Sequence, residues 1–287
     1  MNNKKYKIVE IVAWSVVAVM LTGVLVGFMN KDSFGINSLF GINSSDKMKT
    51  IKEYTIEDID QLKNISVDMS ECRVELTESK DNNIYITFKS NKDIDSEKYL
   101  EVDQSSSTLD IRTIDKNKIH FVNNTSIGIE LQIPKSYNQN IDINTDVGDV
   151  KFDEEMSFKD LSVKTDVGDI KFDKNIKCDS YEIKTDTGDI KVCGIDGGGS
   201  IESDIGDIKC GIDGIKDDIN IVSNIGDVDL DISRELEFKF KSDKLPDDLD
   251  INFDTISKDE GDFYGEYGKN PLYVISVKGD IGNIDIE

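Results

Sequence analysis

The chain has 287 residues, with 58 acidic against 34 basic side chains, a net charge of −24 and one histidine. Nucleic acid is excluded as a partner, because phosphate binding needs clustered Lys and Arg, and a site built on several histidines is excluded by count. Apolar residues at 37 % suffice for a core, while the composition disfavours collagen, a coiled coil and a multi-span membrane protein.

Residues 1–10 form a short basic tail carrying Lys4, Lys5 and Lys7. Residues 11–29, IVAWSVVAVMLTGVLVGFM, hold no charge. At 1.5 Å rise per residue they reach about 28 Å as a helix, close to the roughly 30 Å hydrocarbon core of a bilayer. The stretch is longer than the apolar region of a cleaved signal peptide, and its exit, VGFMNKDS, lacks a small-residue cleavage triplet. A single transmembrane signal-anchor helix is therefore expected, with the amino terminus cytoplasmic by the positive-inside rule and the remainder outside. Residues 30–50, where FGINS occurs twice, read as a juxtamembrane linker. Residues 51–287 read as one extracytoplasmic β domain.

An internal repeat organises that domain. TDVGDVKF occupies 145–152, TDVGDIKF 165–172, TDTGDIKV 185–192, SDIGDIKC 203–210 and SNIGDVDL 223–230. The corner glycines Gly148, Gly168, Gly188, Gly206 and Gly226 are separated by 20, 20, 18 and 20 residues. Weaker copies lie at Gly128 and, at the chain end, Gly282. Apolar residues sit two and four positions after each glycine (Val150/Phe152, Ile170/Phe172, Ile190/Val192, Ile208/Cys210, Val228/Leu230). Seven and five positions before it stand Ile141/Ile143, Leu161/Val163, Tyr181/Ile183, Gly199/Ile201 and Ile219/Ile221. Spacing by two means strands with one buried face. A unit this short cannot bury that face alone, so the expected fold is all-β: a single-stack β-solenoid, β-helix-like, clearest over 141–230. Glycine suits a corner of positive φ, and the flanking Asp suit a turn. The 18-residue step falls at GIDGGGS, where a tightened bend is expected. Phe238/Phe240 and Ile251/Phe253 read as one more rung, interrupted by SDKLPDDLD.

The stretch NISVDMSECRVELTESKDNNIYITF, the S/T-D-x-G-D-I-x-[FV] units and the closing VKGDIGNIDIE resemble a bacterial β-strand-repeat family of adhesin-like domains of unknown function, common in Firmicutes. The resemblance implies a surface role without catalysis. Membrane-anchored relatives tied to Lia-type envelope-stress operons extend it to envelope interaction or stress response, with envelope components, cationic peptides or membrane regulatory proteins as partners.

Stacking turns alignment columns into ladders: Asp149, Asp169, Asp189, Asp207, Asp227 in one, and Asp146, Asp166, Asp186, Asp204, Asn224 in another. Like charges about 4.8 Å apart repel by roughly 0.9 kcal/mol per neighbour in water. Two offsets are open: pairing with the lysine column Lys151, Lys171, Lys191, Lys209, or Ca²⁺ held by the carboxylates in a calcium-dependent adhesin or wall-binding module. Uniform recurrence of the Asp residues is scaffold behaviour, and no catalytic constellation is present; no other cofactor is expected. Cys72 and Cys210 occupy inward positions, while Cys178 and Cys193 lie near corners. Both a Cys193–Cys210 bridge and free thiols fit this pattern. His120 reads as structural. The terminal strand, IGNIDIE, has no polar segment after it, and two readings are open: an uncovered edge available for self-association, or an edge covered by a loop such as 242–250.

Overall fold

The protein was analysed as a computed structural model, which describes residues 48–57, 59–114, 125–243, 249–251, 257–259 and 262–287. The expected anchor, the linker up to residue 47 and His120 lie outside the described residues. Among the described residues no helix is long and apolar enough to cross a membrane. They fall within one compact unit, Lys47–Glu287.

The repeat dictates the architecture. Each unit contributes a long strand before the corner and a short one after it. Asn140–Val147, Asp160–Val167 and Ile176–Thr187 supply the first kind, while Val150–Phe152 and Ile170–Phe172 supply the second. Farther along, Ile190–Ile205 and Ile208–Ile225 run unbroken from the short face of one rung to the corner of the next. Equivalent residues pair in parallel and in register. Ile141 meets Leu161, which meets Tyr181; Val150 meets Ile170, which meets Ile190. Inward positions are therefore columns of like residues, and Ile143, Val163, Ile183, Ile201 and Ile221 are all fully buried. Phe152 and Phe172 stack with ring centroids 4.5 Å apart. Burying each such side chain contributes about 1.5–3 kcal/mol, and a stack shares that gain between neighbours. A third short face is made by Met156–Ser157 against Ile176–Lys177, continued by Ile195–Asp196. The expected single stack is thus a three-sided one.

The 18-residue step has a local cause. Phe172 pairs with Val192 and Ile176 with Ile195, so one residue is lost after Val192. A second is lost between Lys177/Ser180 and Asp196/Gly198. The deletions flank the glycine run, which also makes room for Tyr181. A Cβ on Gly199 (φ +148°) would lie 1.9 Å from the Tyr181 carbonyl oxygen, and one on Gly197 3.2 Å from the Tyr181 ring. Close backbone approach, rather than a bend, is what the three glycines permit.

At both ends the stacking order departs from chain order. Asn64–Glu71 lies between Thr108–Thr113 on one side and Asn140–Val147 on the other. Likewise Val274–Ile281 is inserted between Ile208–Ile225 and Phe238–Ser242. Ile284–Ile286 is paired by Val228–Ile232 on one edge and by Leu249–Ile251 on the other. Of the two readings of the terminal edge the covered one holds: the last strand is paired on both sides. Phe238–Ser242 and Leu249–Ile251 form the outlying rung read from the sequence. Beyond the parallel stack, antiparallel strands close each end: Leu100–Gln104 on Thr108–Thr113, and Asp262–Tyr267 on Phe238–Ser242. Reversing direction at the ends covers edges that a parallel array would otherwise expose.

Candidate functional site

The corner is the chemically distinctive part of each rung. Its glycines hold φ between +135° and +157° from Gly148 to Gly282, a range that L side chains rarely adopt. A Cβ on Gly188 would stand 2.0 Å from the carbonyl oxygen of Gly168, and the same clash recurs along the column down to Gly282 over Gly226. Gly128 is not part of it: it pairs with Arg73, one place off the column, in which Cys72 precedes Gly148. The weaker copy expected at Gly128 is thereby corrected, whereas Gly282 belongs.

The side chains of the Thr and the second Asp of T-D-x-G-D are committed between rungs. Thr165 Oγ1 donates to the Gly148 carbonyl (3.1 Å), Thr185 to Gly168 (3.0 Å), Ser203 to Gly188 (3.1 Å) and Ser223 to Gly206 (3.2 Å). The recurrent Thr or Ser three places before the glycine carried this signal in the sequence, and the composition-based reading overlooked it. On the outer side of the corner, each Asp accepts the backbone N–H of its counterpart one rung on. Asp149 Oδ1 accepts from Asp169 N (3.1 Å), Asp169 from Asp189 (2.9 Å), Asp189 from Asp207 (2.9 Å) and Asp207 from Asp227 (2.8 Å). Asp227 ends the run by accepting from Asn283 N at 2.8 Å. Arg73 heads it, with Nη2 3.8 Å from Asp149 Oδ2.

These bonds change what offsets the charge. The lysine column pairs elsewhere: Lys151 with Asp153 and with Asp173 at 3.1 Å, Lys171 with Asp173 at 2.5 Å, Lys209 with Asp229. The expected compensation of the corner Asp by these lysines is corrected, since Lys151 and Lys171 turn toward carboxylates just past the short strand and Lys209 toward Asp229, its register partner in the next rung. Hydrogen bonds from Lys171 and then Lys151 hold the Asp173 carboxyl down at about 2. Burial pushes the Asp169 carboxyl up, and the neighbouring Asp149 and Asp189 carboxylates add to this; Asp207 is raised in the same way between Asp189 and Asp227. The companion column stands on the long face. Asp166, Asp186 and Asp204 are exposed there, and Asn224 Nδ2 donates to Asp204 Oδ1 at 3.1 Å. Among the described residues no group of three or more His, Cys, Asp or Glu side chains is arranged to hold a metal ion.

All four cysteines are free. Cys210 pairs in register with Val192, so Cys193 is one residue out of step, exposed and facing away. The Cys193–Cys210 alternative is thereby ruled out by strand alternation. Cys178, expected near a corner, is buried within Ile176–Thr187. Burial pushes the Cys72 and Cys178 thiols up to about 12. A cavity of about 320 Å³ beside Pro134 and Phe158 carries Lys135 and Glu78, which pair with each other at 2.9 Å.

A family profile described as Toastrack DUF4097 matches residues 62–197 and again 157–287. Comparison with curated proteins finds no match. Among solved structures the chain is similar to a candidate adhesin from Bacteroides fragilis NCTC 9343 (15 % identity, TM-score 0.46, covering 85 % of this chain and 98 % of that one). It is also similar to a candidate cell adhesion protein from Clostridium sporogenes ATCC 15579 (13 %, 0.36, 84 % and 99 %). A third is a candidate adhesin from Parabacteroides distasonis ATCC 8503 (13 %, 0.39, 84 % and 97 %).

Proposed function

This chain belongs to the Toastrack DUF4097 family, and on that footing we propose that it is a non-catalytic, adhesin-like module acting by surface contact outside the cytoplasm, in envelope interaction or the response to envelope stress. One observation carries the reading. The Thr, Gly and outer Asp of every repeat are used in bonds between rungs, so the recurrent residues build a rigid platform rather than a reacting centre. What the platform presents is a periodic acidic exterior. The uncharged 11–29 segment behind three lysines supports anchorage in the cell membrane with the β domain outside.

Deleting the gene tests this reading. Changed sensitivity to cationic peptides or wall-active antibiotics is expected, restored by the full chain; an unaltered profile overturns the stress-response role. Protease added to intact cells is expected to clip the β domain and leave the anchor, and protection of the domain overturns the topology. The calcium-dependent reading keeps one supporting observation, the column of like carboxylates from Asp149 to Asp227, in which burial first and the neighbouring charges second raise Asp169 and Asp207. An absence of heat and of any melting shift on calorimetric titration of the full chain with millimolar CaCl₂ removes it.

A further inference from the structure

The residue between the Asp and the Gly of T-D-x-G-D joins the ladder through its backbone alone, its carbonyl accepting the corner-glycine N–H of the neighbouring rung, and the character of its side chain changes along the stack. Val147, Val167 and Thr187 are half-buried, but Ile205, Ile225 and Ile281 are 42 %, 39 % and 63 % exposed. Register places these three isoleucines in adjacent rungs, Ile205 beside Ile225 and Ile225 beside Ile281. Adjacent strands lie about 4.8 Å apart, so the isoleucines make an apolar strip about 10 Å long, running along the stack axis. Exposed Asp204 flanks the strip on the long face, and exposed Asp207 and Asp227 flank it on the short face.

We propose that this corner is a docking strip for a cationic amphipathic helix, which lies along the stack axis with its apolar face on Ile205, Ile225 and Ile281 and its Lys or Arg side chains on the flanking carboxylates. The inference rests on the surface-contact reading above and gives it a partner class. Helical pitch is about 5.4 Å, so apolar side chains one turn apart follow the rung spacing closely over three rungs. An extended strand repeats its facing side chains about every 6.8 Å and would fall out of step. Carboxylates on both flanks repel an anionic lipid surface and a second copy of the same corner, and they attract a basic helix. Apolar contact supplies affinity, and the flanking charge supplies orientation and speed of encounter.

The test uses the full chain in phosphatidylcholine nanodiscs, with empty nanodiscs as blank, titrated calorimetrically with a Leu/Lys peptide of about four helical turns that places Leu at i, i+3, i+4 and i+7. A scrambled peptide of equal composition is the control. The variant carries Ile205→Thr, Ile225→Thr and Ile281→Thr, threonine being what position 187 already holds. The expected result is binding by the amphipathic peptide, weakened about tenfold or more by the triple variant, with the melting temperature of the variant close to that of the original. Equal affinity for the scrambled peptide, or undiminished binding by the variant, overturns the docking strip while leaving an acidic contact module in place. Absence of binding to either peptide at low salt overturns the module's affinity for cations as well. A dimer in sedimentation that the triple variant dissolves makes the occupant a second copy and overturns the proposal.

Discussion

A single methyl group measures how tightly the corner is built. Gly188→Ala would place its Cβ 2.0 Å from a backbone oxygen of the rung below, at φ +154°. Neither backbone can yield without breaking the ladder, so a loss of about 2–4 kcal/mol is expected by urea unfolding, larger than an ordinary surface substitution gives. Asp169 separates the two roles of its column. Asn at that position keeps an acceptor for the Asp189 N–H and removes a charge lying between two others. Asp169→Asn is therefore expected to match or exceed the original stability, while Asp169→Ala, which leaves the N–H unpaired, loses about 1 kcal/mol. The pH dependence follows from the same arrangement. A carboxyl raised in the native state holds its proton more firmly when folded, so its contribution favours folding in acid and is lost as pH rises from the ordinary carboxylate value through the native one. The stability advantage of Asp169→Asn over the original is thus expected to grow as the pH rises above the ordinary carboxylate value of about 4, measured by thermal unfolding.

At the scale of the element, the repeat was legible because strand alternation and a positive-φ glycine leave marks at fixed spacing. The two-sided columns, Gly282 and the outlying 238–251 rung could all be read from it. Gly128 shows the limit: a glycine with apolar neighbours spaced by two occurs in any strand, and only register separates it from a corner. Pairing order was equally hidden. A strand records which face it buries and not which neighbour covers its edge, so IGNIDIE looked terminal when it is enclosed. A stop codon after Asn283 should then act as a core deletion, since it removes Ile284 and Ile286, both buried, and unpairs two neighbouring strands. Hydrogen exchange is expected to accelerate in Val228–Ile232 upon that truncation; protection equal to the original would mean that the edge is closed without it.

For the whole molecule, net charge opposes compaction. The sequence gives −24, and the ladder bonds hold carboxylates in columns where they repel. Sodium chloride raised from about 0.05 M to about 0.5 M should therefore increase the melting temperature, because screening acts on exposed like charges more than on the apolar columns. A fall over that range would show that attractive pairs such as Lys164–Glu182, at 2.7 Å, outweigh the repulsion. The acid excess that excluded nucleic acid at the outset was thus legible in its sign and its period. Its use was not, because only the fold shows which Asp accept a backbone N–H between rungs.

The inserted rungs have a mechanical consequence. A stack laid down strictly in chain order could be peeled from either terminus one rung at a time, each releasing about 70 Å of slack. Here the last strand is clasped by segments farther inside the chain, Ile284–Ile286 by Val228–Ile232 on one edge and by Leu249–Ile251 on the other, whereas the first described strand, Lys49–Ile56, pairs along one edge with Ile84–Ser90. Tension on the carboxy terminus loads two hydrogen-bonded edges together in shear instead of unzipping one. The folded chain carries a latch at its carboxy end, and a pull there meets its greatest resistance before the first rung comes free.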